Sequence, residues 1–118
     1  MRIGILAKRA GVSASSIRFY EARGLLPRSQ RHPNGYRDYD ERALQIIHFI
    51  SRARGLGFSL AEIAAHIYSP RDEKRKSRLL YRMETKLGEF DGLLADLQSR
   101  RAALFDAIQE LRSQIKRA

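Results

Sequence analysis

The sequence contains no cysteine. Disulfide bonds, thiolate catalysis, iron–sulfur clusters and cysteine-based metal sites are therefore excluded. No apolar run approaches the roughly 20 residues that a membrane-spanning helix needs. The N-terminal stretch also lacks the hydrophobic segment of a signal peptide. We therefore expect a cytoplasmic protein without a membrane partner.

Side chains that could form a catalytic or metal-binding group are scarce as well. The three histidines are scattered along the chain at His32, His48 and His66. His48 has no second ligand residue three or four positions further on, which is the spacing that a helical metal site requires. We find no nucleophile–base arrangement and no phosphate-binding loop. The sequence therefore predicts neither an enzyme nor a protein with a metal or other cofactor.

Acidic residues are outnumbered, with 13 against 23 basic residues, and the formal net charge is +10. The excess is uneven, because residues 1–76 hold 15 basic and 7 acidic residues, whereas residues 77–118 hold 8 and 6. Such an excess indicates a polyanionic partner, with nucleic acid ahead of an anionic membrane surface. We expect this partner to contact the first two thirds of the chain.

Two short helices separated by a glycine turn are predicted near the start of the chain. Apolar residues at helical spacing mark the first helix at residues 3–9. Residues 10–12 contain Gly11 and form the turn, and Ser13 is suited to cap the second helix. This order is typical of a helix-turn-helix. Two core helices of an unrelated small α domain are the alternative interpretation.

The second helix has a face suited to the major groove of DNA. We expect Ile17 to face the core together with Tyr20 or Ala22, which leaves Ser15 and Arg18 on the other side. Arginine can donate two hydrogen bonds to guanine or to phosphate, and serine can donate or accept. This helix is therefore the predicted recognition helix.

Residues 28–39 predict a short β-hairpin, which would form a wing. Asn34 and Gly35 are a turn pair, since both residue types tolerate positive φ. In the functional interpretation Arg31, Tyr36 and Arg37 reach the DNA backbone or the minor groove. In the alternative, the tyrosines fill the core and the arginines are merely solvated. We favour a division between the two interpretations, with Tyr39 packed in the core and Arg37 on phosphate.

Two further helices and a second basic turn follow. Asp40 can cap a helix that extends to about Arg54, whose last turn carries Arg52 and Arg54. These two arginines could hold phosphate as a second wing, or they could belong to an ordinary corner between helices. Ser59 and Glu62 form a capping box at the start of the next helix.

A long amphipathic helix is predicted after residue 76. Its apolar residues recur at spacings of three and four over roughly five heptads, with Arg101 at one core position. A helix of roughly 50 Å cannot bury this seam against the short preceding segment. We therefore expect a homodimeric coiled coil, with a helix folded back on its own domain as the alternative. The predicted dimerisation residues are Leu80, Met83, Leu87, Phe90, Leu94, Leu97, Leu104, Ile108, Leu111 and Ile115.

These segments together resemble the MerR family of bacterial transcriptional regulators. The matching stretches stand in the family's order and cover residues 1 to about 68. They are IGILAKRAGVS at residues 3–13, IRFYE at 17–21, GLLP at 24–27, NGYRDY at 34–39 and RARGLGFSLAEI at 52–63. The long closing helix agrees with the antiparallel dimerisation helix of that family.

The resemblance implies an all-α fold with a small β-hairpin wing. A winged helix-turn-helix domain would occupy residues 1–70, and a linker with an antiparallel coiled-coil helix would occupy residues 71–118. The implied function is a homodimeric, sequence-specific transcriptional regulator that binds and distorts a pseudo-palindromic promoter operator, where RNA polymerase also binds. The residues expected to contact DNA are Ser15, Ser16, Arg18, Tyr20, Arg31, Asn34, Tyr36, Arg37, Arg52 and Arg54.

The sequence departs from the family at the sensing end. Lys76 and Ser77 stand in the region where metal-sensing relatives carry a cysteine at the start of the dimerisation helix. An effector-free architectural DNA-bending protein, or an excisionase-like accessory protein, is therefore the alternative function. A basic coiled-coil adaptor on a membrane or an acidic protein is a third possibility, which the concentration of charge outside the coil disfavours.

Overall fold

The computed structural model of this chain describes residues 1–27 and 29–118. Arg28, the first residue of the predicted hairpin segment, lies outside the described residues. The predicted all-α fold with a small hairpin is confirmed. Its elements in chain order are α1 (Ile3–Ala10), α2 (Ala14–Ala22), β1 (Gln30–Arg31), β2 (Arg37–Asp38), α3 (Glu41–Gly55), α4 (Leu60–Ile67) and α5 (Arg75–Arg117). They form two compact units, Met1–Pro70 and Arg71–Ala118.

Helices α1 and α2 are joined by a tight glycine turn, as the sequence predicts. Gly11 adopts a left-handed conformation with φ of 69°, and the Val12 amide donates to the Ala7 carbonyl at 3.1 Å. The Ser13 hydroxyl then accepts from the Ser16 amide at 3.0 Å and caps α2. The chain therefore reverses within a few residues, which is the local geometry of a helix-turn-helix.

Helix α2 ends in a Schellman motif. Gly24 has φ of 73°, its amide donates to the Glu21 carbonyl at 3.0 Å, and the Leu25 amide donates to the Tyr20 carbonyl at 2.9 Å. This arrangement satisfies two carbonyls that the end of a helix leaves free. It also directs Leu25 and Leu26 into the core, where both are buried.

Strands β1 and β2 form a two-stranded antiparallel hairpin with Gln30 opposite Asp38 and Arg31 opposite Arg37. The connection closes through the His32 amide, which donates to the Tyr36 carbonyl at 2.9 Å, and the Gly35 amide, which donates to the His32 carbonyl at 2.9 Å. Both turn residues tolerate positive φ, and of the two only Gly35 adopts it, with φ of 85°. A single left-handed glycine is sufficient in a three-residue hairpin loop.

Helices α3 and α4 begin with side-chain caps. The Asp40 carboxylate accepts from the Ala43 amide at 3.1 Å. Ser59 and Glu62 form the predicted reciprocal capping box, at 2.9 and 3.1 Å. The helices then bury their apolar sides in one core within Met1–Pro70. The largest fully buried side chains are Leu6, Ile17, Ile47, Ile50 and Ile63.

Helix α5 spans 43 residues, and none of them is buried within the single chain. At ~1.5 Å per residue its length is about 65 Å. The ten predicted dimerisation residues are 39% to 67% exposed, and they are Leu80, Met83, Leu87, Phe90, Leu94, Leu97, Leu104, Ile108, Leu111 and Ile115. No helix among the described residues is long and apolar enough to cross a membrane.

Candidate nucleic-acid interface

The outer face of α2 is open and polar. Ser15 and Arg18 are exposed, and Ser16 is half-buried with its hydroxyl 3.0 Å from that of Ser13. On the inner face Ile17 is completely buried. One helix thus anchors itself with an aliphatic side chain and presents hydrogen-bonding groups to solvent, which is what direct contact with base edges requires.

Tyr20 does not lie on this open face. The family resemblance predicted a DNA contact, but the structure leaves only 7% of the residue exposed, within the core cluster. Tyr20 is three positions after Ile17, so both project from the same side of α2. The interpretation that paired Tyr20 with Ile17 in the core is therefore the one that the structure supports.

The hairpin presents a stacked cationic group near its tip. Tyr36 is half-buried, and its ring stacks on His32 with centroids 4.7 Å apart and planes 16° apart. The guanidinium of Arg2 lies 4.0 Å from the centroid of the same ring. Arg31 and Asn34 are exposed. Sequence reasoning missed Arg2, because it precedes α1 and meets Tyr36 only through the fold.

The carboxylate of Glu21, on α2, lies at the centre of a hydrogen-bond network. It accepts from the Ser29 hydroxyl at 2.8 Å, from the Tyr39 hydroxyl at 2.7 Å and from the guanidinium of Arg37 in a short ion pair. The Glu21 side chain is 8% exposed, whereas that of Arg37 is 42% exposed. The predicted packing of Tyr39 is confirmed, since it is 3% exposed.

This network shifts the pKa of two of its members, Glu21 and Tyr39, in opposite directions. Burial alone would raise the pKa of Glu21, but the hydrogen bonds from Tyr39, Ser29 and Arg37 outweigh it, and the pKa is lowered from its ordinary value. Burial, followed by the hydrogen bond to the carboxylate, raises the pKa of the Tyr39 hydroxyl. The carboxylate is therefore charged and the phenol neutral at physiological pH.

A cleft of about 640 Å³ is lined by residues of both α2 and the hairpin. Arg18 and Glu21 line it from the helix, and Tyr36 and Arg37 line it from the hairpin side. The structure thus brings together Arg18, Tyr36 and Arg37, which the sequence predicted separately. Glu21 was not predicted from the sequence, because a search for basic residues does not identify an acidic residue that lies among them.

The second predicted wing lies at the end of α3. Arg52 and Arg54 are exposed in the last turn of the helix, where cations also complement the helix dipole. Gly57, with φ of 98°, turns the chain toward α4. Both arginines are therefore accessible to a phosphate backbone, as the functional interpretation requires.

A second arginine–glutamate pair in the same unit differs from the first in being open to solvent. Arg9, at the end of α1, donates to both carboxylate oxygens of Glu41 at 2.6 and 3.0 Å. The hydrogen bond from Arg9 lowers the pKa of Glu41. The side chains of Arg9 and Glu41 are 46% and 65% exposed.

Among the residues that the structure describes, no cluster of three or more acidic or histidine side chains could hold a metal ion.

Two family models match the chain and together span its whole length. One, described as MerR HTH family regulatory protein, matches residues 1–69. The other, described as MerR, DNA binding, matches residues 44–118. The first covers the helix-turn-helix, the hairpin and α4, and the second continues from α3 through α5.

Curated relatives agree with these models. The transcriptional regulator HmrR of Rhizobium leguminosarum bv. viciae is 37% identical over 105 residues, which cover 88% of this chain and 81% of that protein. A mercuric resistance operon regulatory protein of Bacillus cereus is 47% identical over 62 residues, covering 52% of this chain and 47% of that protein. Regulators of this kind are not enzymes.

A solved structure extends the likeness to a DNA complex. HiNmlR, described as a MerR family regulator lacking the sensor domain and bound to promoter DNA, aligns with a TM-score of 0.64 and 26% identity. The alignment covers 83% of this chain and 75% of that one.

Proposed function

Because the chain belongs to the MerR family of transcriptional regulators, we propose that it binds a promoter operator as a homodimer. It then distorts the DNA to control transcription by RNA polymerase in the cytoplasm. The observation that carries the proposal is the cleft lined by Arg18 from α2 and by Tyr36 and Arg37 from the hairpin. Residues 1–70 would form the DNA-binding domain, and residues 71–118 the linker and dimerisation helix.

Helix α2 would enter the major groove with its open face toward the bases. Arg18 can donate two hydrogen bonds to guanine, and Ser15 and Ser16 can contact either bases or phosphates. Tyr20 is left out of this contact set because its ring is buried in the core. Sequence discrimination would therefore depend mainly on Arg18.

The wings would grip the sugar–phosphate backbone on either side of the groove. Arg31, Asn34, Tyr36 and Arg37 would do so from the hairpin, to which the stacked Arg2 adds a cation. Arg52 and Arg54 would contact backbone from the end of α3. Contacts of this kind fix the register of a protein on DNA and favour a distorted duplex, but they carry no base information directly.

The seam of α5 would pair antiparallel with that of a second copy. Its apolar side chains are at least 39% exposed in the single chain, and a coiled coil removes such a stripe from water. The dimer would place two recognition helices in successive major grooves, about 34 Å apart. Leu94→Asp should yield monomers in sedimentation at micromolar concentration, whereas Ala95→Asp, one residue off the seam, should remain dimeric.

Two substitutions test the DNA-binding assignment. Arg18→Ala should reduce the ratio of specific to non-specific affinity as well as the affinity itself. Arg37→Ala should weaken binding to all sequences, and the salt slope of log K should flatten by about 0.9 per lost phosphate contact. Lys116→Ala, which removes a cation near the end of α5, is the control and should leave both quantities unchanged. An unaltered slope in Arg37→Ala would remove the wing from the proposed interface.

Transcription in vitro separates a regulator from a purely architectural DNA-bending protein. A regulator should change the yield of transcript from its own promoter when added to purified RNA polymerase, whereas a DNA-bending protein should bind without that effect. A response to mercury, which the name of the Bacillus cereus relative indicates for that protein, does not fit this sequence. Soft metals of that class select thiolate ligands, and this sequence has no cysteine.

A further inference from the structure

We infer that Glu21 is a positioning residue for DNA binding, because its carboxylate holds Arg37 of the hairpin beside the recognition helix and so aims that cation at the DNA backbone. The inference rests on the proposed DNA-binding function. It assigns a role to an acidic side chain within a surface that must meet a polyanion.

An acidic residue at such a surface requires an explanation. A carboxylate and a phosphate repel one another, and an exposed glutamate beside Arg18 would oppose DNA binding. The Glu21 side chain, however, is only 8% exposed, and its oxygens accept hydrogen bonds from three different side chains. Its negative charge is therefore compensated within the protein, by donors that belong to the hairpin or adjoin it.

The donors to Glu21 come from both ends of the hairpin. Ser29 immediately precedes β1, and Tyr39 immediately follows β2. Arg37 donates from within β2 itself. A single side chain on α2 thus holds the residue before β1, the residue after β2 and a cation of β2 itself. Loss of that side chain should change the orientation of the hairpin relative to the recognition helix.

Arg37 has donors left for a second acceptor. A guanidinium carries five N–H donors in a fixed plane, and one terminal nitrogen of Arg37 is engaged by Glu21. The side chain is 42% exposed and lines the cleft that also contains Arg18. Arg37 can therefore bridge the carboxylate and a backbone phosphate, with Glu21 fixing the plane of its guanidinium.

The alternative role for Glu21 is competition, in which the carboxylate withholds Arg37 from DNA. The two roles predict opposite signs for the same measurement. If Glu21 aims Arg37, removal of the charge loses a phosphate contact and flattens the salt slope. If Glu21 competes with phosphate, removal of the charge releases Arg37 and steepens the slope.

The experiment measures the salt dependence of operator binding by the full chain with Glu21→Gln, Arg37→Ala and the double variant. Glu21→Gln should flatten the slope by up to about 0.9 for each wing. It should add nothing when Arg37 is already alanine. Glu41→Gln is the matched control, because it also removes one negative charge from an arginine pair in the same unit. Its slope should match that of the unmodified protein.

The outcomes separate this inference from the proposed function. A steeper slope in Glu21→Gln, or an equal flattening in Glu41→Gln, overturns the inference. The inference is also overturned if Arg37→Ala flattens the slope and Glu21→Gln leaves it unchanged. In that case the wing assignment still stands. An unchanged slope in both variants overturns the wing assignment and the inference together. If Glu21→Gln does not fold, Tyr39→Phe takes its place, because this variant removes one donor to the Glu21 carboxylate and keeps the aromatic ring. A flatter salt slope in Tyr39→Phe then supports the inference.

Discussion

Tyr39→Phe is the most informative test of the network around Glu21. The substitution keeps the buried ring and deletes only the hydroxyl that donates to the carboxylate at 2.7 Å. Tyr39 is 3% exposed and the Glu21 side chain is 8% exposed, so water cannot fully replace the lost donor. The hydrogen bonds from Ser29 and Arg37 remain.

The expected loss of stability follows from the charge of the acceptor. A hydrogen bond to an ionised group contributes about 1.5–3 kcal/mol, more than a bond between neutral groups. We therefore expect the free energy of unfolding to fall by about 2 kcal/mol at pH 7. With a urea m-value of about 2 kcal/mol/M, the midpoint should fall by about 1 M.

The deficit should depend on pH. Burial would raise the pKa of Glu21, but the network lowers it overall, so ionisation of this carboxyl favours the folded state. That stabilisation is fully present above the unfolded value of about 4.3, and it is lost as pH falls through the lower folded value. The difference between Tyr39→Phe and the unmodified protein should therefore be largest at neutral pH and shrink below about pH 4.3.

Urea unfolding followed by circular dichroism measures this difference at several pH values. Protein concentration must be held constant, because circular dichroism also reports the helical content of α5, whose order is expected to depend on association. Tyr81→Phe, at an exposed site on α5, is the matched control and should not differ from the unmodified protein. A loss below about 0.5 kcal/mol at pH 7, or a loss that stays constant into acid, would contradict the role of a charged acceptor.

Three backbone and capping features give further expected outcomes. Ser59→Ala should cost about 1 kcal/mol in urea unfolding by removing the cap of α4, while Ser51→Ala, within α3, should change little. Gly24→Ala should cost about 1–2 kcal/mol, because its φ is 73° and a Cβ atom would lie 2.8 Å from the Tyr68 hydroxyl oxygen. A Cβ atom added at Gly92 would have no neighbour within 4 Å, so Gly92→Ala should stabilise α5 by up to about 1 kcal/mol. A destabilising effect would indicate that a partner helix passes close to this residue.

Features determined by nearby residues could be predicted from the sequence. Ser13, Asp40 and Ser59 cap their helices as expected, since each cap bonds an amide three positions further on. The glycine turns follow from the same local rules of backbone conformation. That α5 is one long continuous helix was also predictable, because an apolar repeat sustained over many turns favours continuous helix. Its full length was not, since the helix already begins at Arg75 and spans 43 residues, about 65 Å where roughly 50 Å was expected.

Features that depend on long-range contacts were not predictable in this way. Glu21 meets Arg37 and Tyr39 across separations of 16 and 18 residues, and no local pattern marks an acidic residue as their shared acceptor. The packing of Arg2 on Tyr36 likewise needs the folded chain. Tyr20 shows the opposite case, because its helical spacing from Ile17 made it, together with Ala22, a candidate for burial, and the structure leaves it 7% exposed.

The exposed seam of α5 means that the two compact units should respond differently to dilution. Among the residues that the structure describes, the buried core lies within Met1–Pro70, so its stability should not vary with protein concentration. Order in α5 should instead rise with the number of copies present, as mass action requires of any element completed by association. The abundance of the protein would then set how much of it is competent to grip two half-sites at once.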